Sequence, residues 1–366
     1  MGGRKYSLES MGINLDKNFW AGKKVFLTGH TGFKGGWLAL LLNHLDAKVF
    51  GYSLEPPTNP SFFDTTSLNN NLNYSFIGDI LDKESLKQNI ENFNPQVVIH
   101  LAAQSLVRES YINPEETFNT NIMGTLNVLE CSRNLPELET ILVITSDKCY
   151  ENNSSGKPFK ETHKLGGFDP YSSSKACAEI LVNSYYKSFF MQKEIPVMTA
   201  RAGNVIGGGD WAKDRLIPDV YRSILSNKSI LLRYPKAVRP WQHVLEPVTG
   251  YLLLIEKRLK TINKNFPNAW NFGPDPESEK TVLWIVDELK KYHPNINYQI
   301  EDREDPHESN YLRLDSSQAN KRISWIPKWN IERAIQETAI WFDYWMNGEE
   351  MATITKNQII KYLNDS

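Results

Sequence analysis

At 366 residues with 40% hydrophobic content, the chain can bury a large core and divide into two lobes. Its 41 Lys and Arg against 43 Asp and Glu leave a formal net charge of −2, which excludes general attraction to nucleic acid or to an anionic membrane. Three cysteines (Cys131, Cys149 and Cys177) without C-x-x-C spacing, and seven histidines without a ligand pattern, argue against a disulfide frame and against a metal site.

The first predicted element is a short strand, Val25-Phe26-Leu27, which enters a glycine-rich turn and leaves as the apolar helix Trp37-Leu38-Ala39-Leu40-Leu41. Strand, turn and helix in that order are the context of a dinucleotide-binding turn. There Gly29, Gly32 and Gly35 permit the tight bend, the close approach of backbone to pyrophosphate, and helix-to-strand packing. Further strands are expected at 48–52, 74–77, 97–101, 141–145 and 196–200. Leu86, Ile90 and Phe93, and then Ile122, Leu126 and Leu129, recur at helical spacing. This alternation predicts an α/β fold, a doubly wound parallel sheet with a smaller C-terminal lobe. Residues 55–60 and 69–71 read as loops, as does 151–170, which is expected to border the active site.

After Arg201 the alternation weakens, as suits a lobe laid over the carboxyl ends of the strands. The expected division is 19–203 for the dinucleotide-binding part and 204–345 for the substrate lobe, with chain crossings between them. Residues 346–366 form a tail in which Ile359, Ile360 and Leu363 share a helix face that docks on the body or on a second copy. The apolar stretch 37–42 is too short to span a bilayer, and the N-terminus lacks a basic segment followed by a secretory core, so a cytoplasmic protein is expected.

Tyr171 and Lys175 are the only Y-x-x-x-K pair, and Ser146 ends an apolar run 25 residues earlier. Four residues apart on a helix, the ammonium and the phenol share a face. The ammonium is expected to lower the phenol's pKa from roughly 10 toward neutrality, a device for taking a proton off an alcohol. Ser146, at a strand's carboxyl end, can hydrogen-bond the same substrate oxygen.

The string Thr28 to Gly35, joined to Ser146, Tyr171 and Lys175, resembles the extended short-chain dehydrogenase/reductase family. Ser146-Asp147-Lys148, Arg201 to Trp211 and Arg239 to Val244 are similar to its branch of nucleotide-sugar 4,6-dehydratases, in particular those acting on CDP-glucose. The resemblance runs from about residue 19 to about residue 345. It implies an NAD-dependent lyase that oxidises C4 of the sugar, eliminates water across C5 and C6, and returns hydrogen to C6.

Where relatives acting on dTDP-glucose carry Asp-Glu, this chain has Asp147-Lys148; by position Asp147 is the acid and Lys148 the C5 base. Both roles ask for surroundings that disfavour the charged form, because an aspartate donates only when protonated and a lysine accepts only when neutral. The resemblance further implies cofactor contacts at Gly29, Gly32, Phe33, Gly35, Ser53, Asp79, Ile80, Ala102, Ala103, Asn121, Tyr171 and Lys175. It places Asn204, Arg239 and Arg303 near the sugar nucleotide, and it implies a homo-oligomer.

The run 49–54 has no ribose-binding Asp or Glu; Ser53 remains for a hydroxyl, and Lys34 is the one nearby cation for a 2′-phosphate. A redox cycle closed on itself favours NAD. A 4-epimerase would share Ser146, Tyr171 and Lys175 without needing the Asp147-Lys148 pair. A non-catalytic NAD-binding protein would need none of them.

Overall fold

The computed structural model describes residues 15–152, 156–261, 265–300 and 312–365. Seven parallel strands form the central sheet: β1 (Lys24–Thr28), β2 (Lys48–Ser53), β3 (Tyr74–Ile77), β4 (Val97–His100), β5 (Thr140–Ile144), β6 (Val197–Ala202) and β7 (Ala269–Phe272). Their order is β7-β6-β5-β4-β1-β2-β3, so the winding reverses between β1 and β4 and opens a crevice at their carboxyl ends.

A strand buried on both faces reads as a nearly continuous apolar run, any polar side chain in it needing a partner. In β1, Val25 and Leu27 face one core while Phe26 faces the other, and β5 divides Leu142 and Ile144 from Ile141 and Val143 in the same way. One face is covered by α1 (Phe33–His44) and α5 (Leu245–Lys260). The other is covered by α2 (Lys83–Phe93), α3 (Gly124–Ser132) and α4 (Pro170–Tyr185). Residues 37–42 of α1 are all buried, because α5 and the last helix pack over the side that the sheet leaves open.

Six of the strands match those expected. The seventh does not appear in the sequence reading: Ala269–Phe272 is a four-residue run with an asparagine inside it, and it extends β6 only because Asn271 finds partners in the fold. Residues 69–71 lie in a 3₁₀ turn, Leu68–Asn71, not in a loop. The stripe Ile122, Leu126, Leu129 is also displaced. A π-helical turn at Asn119–Met123 inserts an extra residue, leaving Ile122 and Leu126 half-buried while Thr125, Val128 and Leu129 face inward.

Beyond β6 the chain forms three two-stranded pairings: Val205–Ile206 with Gln242–His243, Val238–Pro240 with Glu279–Thr281, and Ile230–Leu232 with Tyr298–Ile300. It returns to the main sheet at β7 and closes with α6 (Ile331–Met346) and α7 (Met351–Asn364). The tail docks on the body of its own chain. The Tyr362 hydroxyl donates to Glu246 Oε2 at 2.6 Å, and the Trp329 indole donates to Asp365 at 2.8 Å. Among the described residues no helix is long and apolar enough to cross a membrane, and no group of three or more His, Cys, Asp or Glu side chains could hold a metal.

Candidate active site

The crevice begins with the turn after β1. Gly29 has φ +81°, and a Cβ there would lie 2.7 Å from the Ala102 nitrogen of the loop after β4. At Gly35 a Cβ would come within 2.0 Å of the Gly29 carbonyl oxygen, so the first turn of α1 lies directly on the glycine bend. Gly32 caps α1 without any side-chain hydrogen bond, which leaves the first backbone N–H groups of the helix for an anion. Cradle and helix terminus together fit a dinucleotide pyrophosphate.

The structure places the other expected cofactor residues as follows. Ser53 ends β2 with its hydroxyl 2.8 Å from that of Thr31, which donates to the Leu54 carbonyl. Asp79 accepts the Leu81 N–H at 2.9 Å, and Ile80 is buried against the position of Gly124. Ala102, hydrogen-bonded through its N–H to Thr28 Oγ1, and Ala103 form the loop after β4. Phe33 opens α1 and packs beside Gly207. Asn121, in the π-helical turn, joins two elements: its carboxamide bonds both backbone groups of Gln104 and donates to Ser174 Oγ of α4 at 2.8 Å.

Asp169 caps α4 by accepting the Ser172 N–H at 2.8 Å, and Pro170 occupies the first turn, where its missing N–H costs nothing. This start places Tyr171, Lys175 and Glu179 on one buried face. Ser146 and Asp147 are buried and Lys148 half-buried at the end of β5, where a short 3₁₀ turn, Asp147–Cys149, directs them into the crevice. Ser146 Oγ donates to Asp147 Oδ1 at 3.0 Å, accepts the Lys148 N–H at 3.2 Å, and lies close enough to the Tyr171 phenol to influence its titration. Within the segment expected as a loop, Gly166 donates its N–H to the Cys149 carbonyl at 2.9 Å and Glu151 its N–H to that of Lys164, which pins these residues beside this turn.

Burial sets the electrostatics. It raises the pKa of Asp147 above the usual carboxylate range, against the pull of Lys148, the Ser146 hydrogen bond, Lys34 and Arg239. It lowers Lys175 to about 8, assisted by the like charge of Lys34 and opposed by Glu179. The phenol runs against expectation. Burial pushes Tyr171 up to about 12, and the Asp147 carboxylate adds to the rise, while the Ser146 hydrogen bond and Arg215 oppose it. Desolvation of the phenolate outweighs the cations around it.

Lys34, also held near 8 by burial and by Arg215, couples electrostatically to Asp147 and Lys175, which ties it to the Ser146–Lys175 cluster. Arg215, which the sequence reading passed over, is fixed by an ion pair with Asp210 at 3.0 Å and by Ser105 at 3.2 Å. Its only signal in the sequence is its place just before the helix Leu216–Ser226. Asn204 follows β6, and buried Arg239 is close enough to influence Asp147. Arg303 lies outside the described residues.

A doubly wound sheet with a glycine cradle at its switch point and a buried serine, tyrosine and lysine at its strand ends defines an extended short-chain dehydrogenase/reductase. Residues 26–338 match the GDP-mannose 4,6 dehydratase family, and the chain belongs to it. A CDP-glucose 4,6-dehydratase of Salmonella typhimurium is 45% identical over 356 residues, covering 96% of this chain and 99% of that protein. Among solved structures, an epimerase of Methanothermobacter thermautotrophicus superposes with a TM-score of 0.78 at 23% identity, over 92% of this chain and 96% of its own. A dTDP-glucose 4,6-dehydratase of Bacillus anthracis in complex with NAD gives 0.72 at 23% identity, over 90% and 99%. One neighbour is an epimerase and the other a dehydratase, so the shared fold does not choose between those activities.

Proposed function

We propose that this chain is an NAD-dependent nucleotide-sugar 4,6-dehydratase that converts CDP-glucose to CDP-4-keto-6-deoxyglucose. The observation that carries the reading is Asp147, buried and biased toward its protonated form, beside Lys148 on the turn that also bears Ser146. A 4-epimerase needs no such acid and base. The 45% identity across nearly the whole chain supports the dehydratase and the cytidine nucleotide together.

In this reading Tyr171 takes the proton of the C4 hydroxyl while Ser146 hydrogen-bonds the same oxygen. NAD, when bound, supplies an acceptor for the C4 hydrogen and its electron pair, and a donor for their return to C6. The new ketone acidifies C5; Lys148 removes that proton, and Asp147 protonates the C6 hydroxyl as it leaves as water. A proton then returns to C5. The two protons given up, from O4 and C5, balance those delivered to the leaving hydroxyl and back to C5. Lys175 holds the cofactor ribose and Asn121 supports the α4 face, while Asn204, Arg239 and Arg303 meet the sugar nucleotide. For its diphosphate, guanidinium groups offer fork-shaped cationic donors. Homo-oligomeric assembly and a cytoplasmic location complete the reading; light scattering reads the first.

Isotopic tracing tests the whole cycle. With CDP-glucose deuterated at C4, the label should appear at C6 of the product; in heavy water, one solvent deuterium should appear at C5, with loss of one water. A C4 epimer formed without dehydration would replace this reading with the epimerase. Parallel incubations with dTDP-, GDP- and UDP-glucose should give slower water loss than with CDP-glucose.

Gly203 offers a milder probe. A Cβ at this position would sit 2.8 Å from Asp147 Oδ2, too close for the carboxyl to stay in place. Gly203→Ala should displace the acid and slow water loss by about 10²-fold, the scale of a catalytic group misplaced by about 1 Å. C4 oxidation, which does not use Asp147, should change far less. Product analysis by mass reads both steps, and equal losses in both would contradict the role given to Asp147.

A further inference from the structure

Beneath the site lies a buried polar network that none of the chemistry above uses. Glu179, one turn beyond Lys175 on α4, accepts hydrogen bonds from Thr145 Oγ1, from Thr199 Oγ1 at 2.8 Å, and from Arg201 Nε and Nη2 at 2.9 and 2.6 Å. Arg201 Nη1 donates in turn to the Tyr150 hydroxyl at 2.6 Å, and that hydroxyl donates to Asn271 Oδ1 at 2.7 Å. All six side chains are buried. Thr145 directly precedes Ser146, and Tyr150 follows Lys148 by two residues. The turn that carries Ser146, Asp147 and Lys148 is therefore tethered at both ends to one Glu179–Arg201 pair, whose glutamate sits on the helix that carries Tyr171 and Lys175 and whose arginine sits on β6.

The two tethers are not equivalent. The Thr145 end adjoins Ser146, which acts with Tyr171 at C4. The Tyr150 end adjoins Lys148 and closes the 3₁₀ turn in which Asp147 and Lys148 sit. We propose that Tyr150, fixed between Arg201 and Asn271, is a positioning residue for the elimination step, holding the Asp147-Lys148 turn in register with the Tyr171-Lys175 face. This rests on the dehydratase reading. Elimination requires an acid and a base to address neighbouring carbons at once, so it is the step most sensitive to a small shift of that turn.

Tyr150→Phe tests the assignment more cleanly than a change in the ion pair, since removing one buried charge strands the other and destabilises the whole fold. The ring stays: it stacks on Phe159 at 4.8 Å, and the Arg201 guanidinium lies 4.9 Å from its centroid. In single turnovers with CDP-glucose in heavy water, C4 oxidation should remain within about twofold of the unmodified protein. C5 exchange and water loss should fall about tenfold or more, so that the 4-ketohexose retaining its C6 hydroxyl accumulates. Asn271→Ser removes the acceptor of the phenol and should shift the same ratio in the same direction; it stands in should Tyr150→Phe lose its fold. An unchanged ratio of elimination to oxidation in the folded variant, or an equal fall in both steps, overturns the role of Tyr150 while the dehydratase reading stands. If the unmodified protein loses no water from any nucleotide sugar, both readings fall.

Discussion

Tyr171→Phe is expected to lower turnover by about 10²- to 10⁴-fold, the usual contribution of a positioned general base, while binding of NAD changes little. The substitution takes away one oxygen and leaves the ring in its buried place on α4. In the proposed mechanism that oxygen receives the C4 proton after losing its own; burial raises the phenol to about 12, and Ser146 and Arg215 oppose the rise. Ser146→Ala should act in the same direction, since it removes a group that lowers the phenol's pKa and, in the proposed mechanism, a bond to the substrate oxygen. Steady-state turnover with CDP-glucose, alongside calorimetric titration of NAD, separates the chemistry from binding. A Tyr171→Phe protein that turns over near the normal rate would remove the phenol from the mechanism.

The second large effect is expected at the strand end. Lys148→Met should still oxidise C4, whereas C5 exchange and water loss fall by about 10²- to 10⁴-fold, because no other group is assigned to accept the C5 proton. The species that builds up is lighter than the substrate by one pair of hydrogens and keeps its oxygen at C6. Asp147→Asn should slow departure of the C6 hydroxyl with less effect on oxidation, since the buried carboxyl that favours the protonated form is replaced by an amide that is no acid. Rapid-quench mass analysis resolves these species. Dehydration by Lys148→Met at close to the normal rate would mean that another residue is the base, and would return the pair to an ordinary strand end.

Much of this site is written locally, and locality explains which parts could be read. The glycine turn is legible because three glycines between a strand and a helix have a backbone reason to be there: a Cβ at Gly35 would lie 2.0 Å from the Gly29 oxygen. The shared face of Tyr171 and Lys175 follows from helix geometry alone. Lys34 is in plain view within the turn, yet its coupling to Asp147 and Lys175 depends on the sheet bringing the carboxyl ends of β1 and β5 to one crevice. Arg215 carries no motif, and only Asp210 and Ser105 aim it at the cluster.

What the sequence by itself determined is the order of the first six strands and the dinucleotide turn, and the spacing that puts Tyr171 and Lys175 on one helix face, since apolar periodicity and residue spacing are properties of neighbours along the chain. Tertiary structure alone decided the rest. β7 is a strand because β6 offers it an edge and Asn271 a set of partners, not because four residues favour that state. Gly203 must lack a side chain because Asp147, 56 positions earlier, occupies the space. The direction of the Tyr171 pKa reversed for the same kind of reason: Lys175 is legible in the sequence as a cation on the same helix face, but the desolvation that raises the phenol exists only once the chain has closed over it.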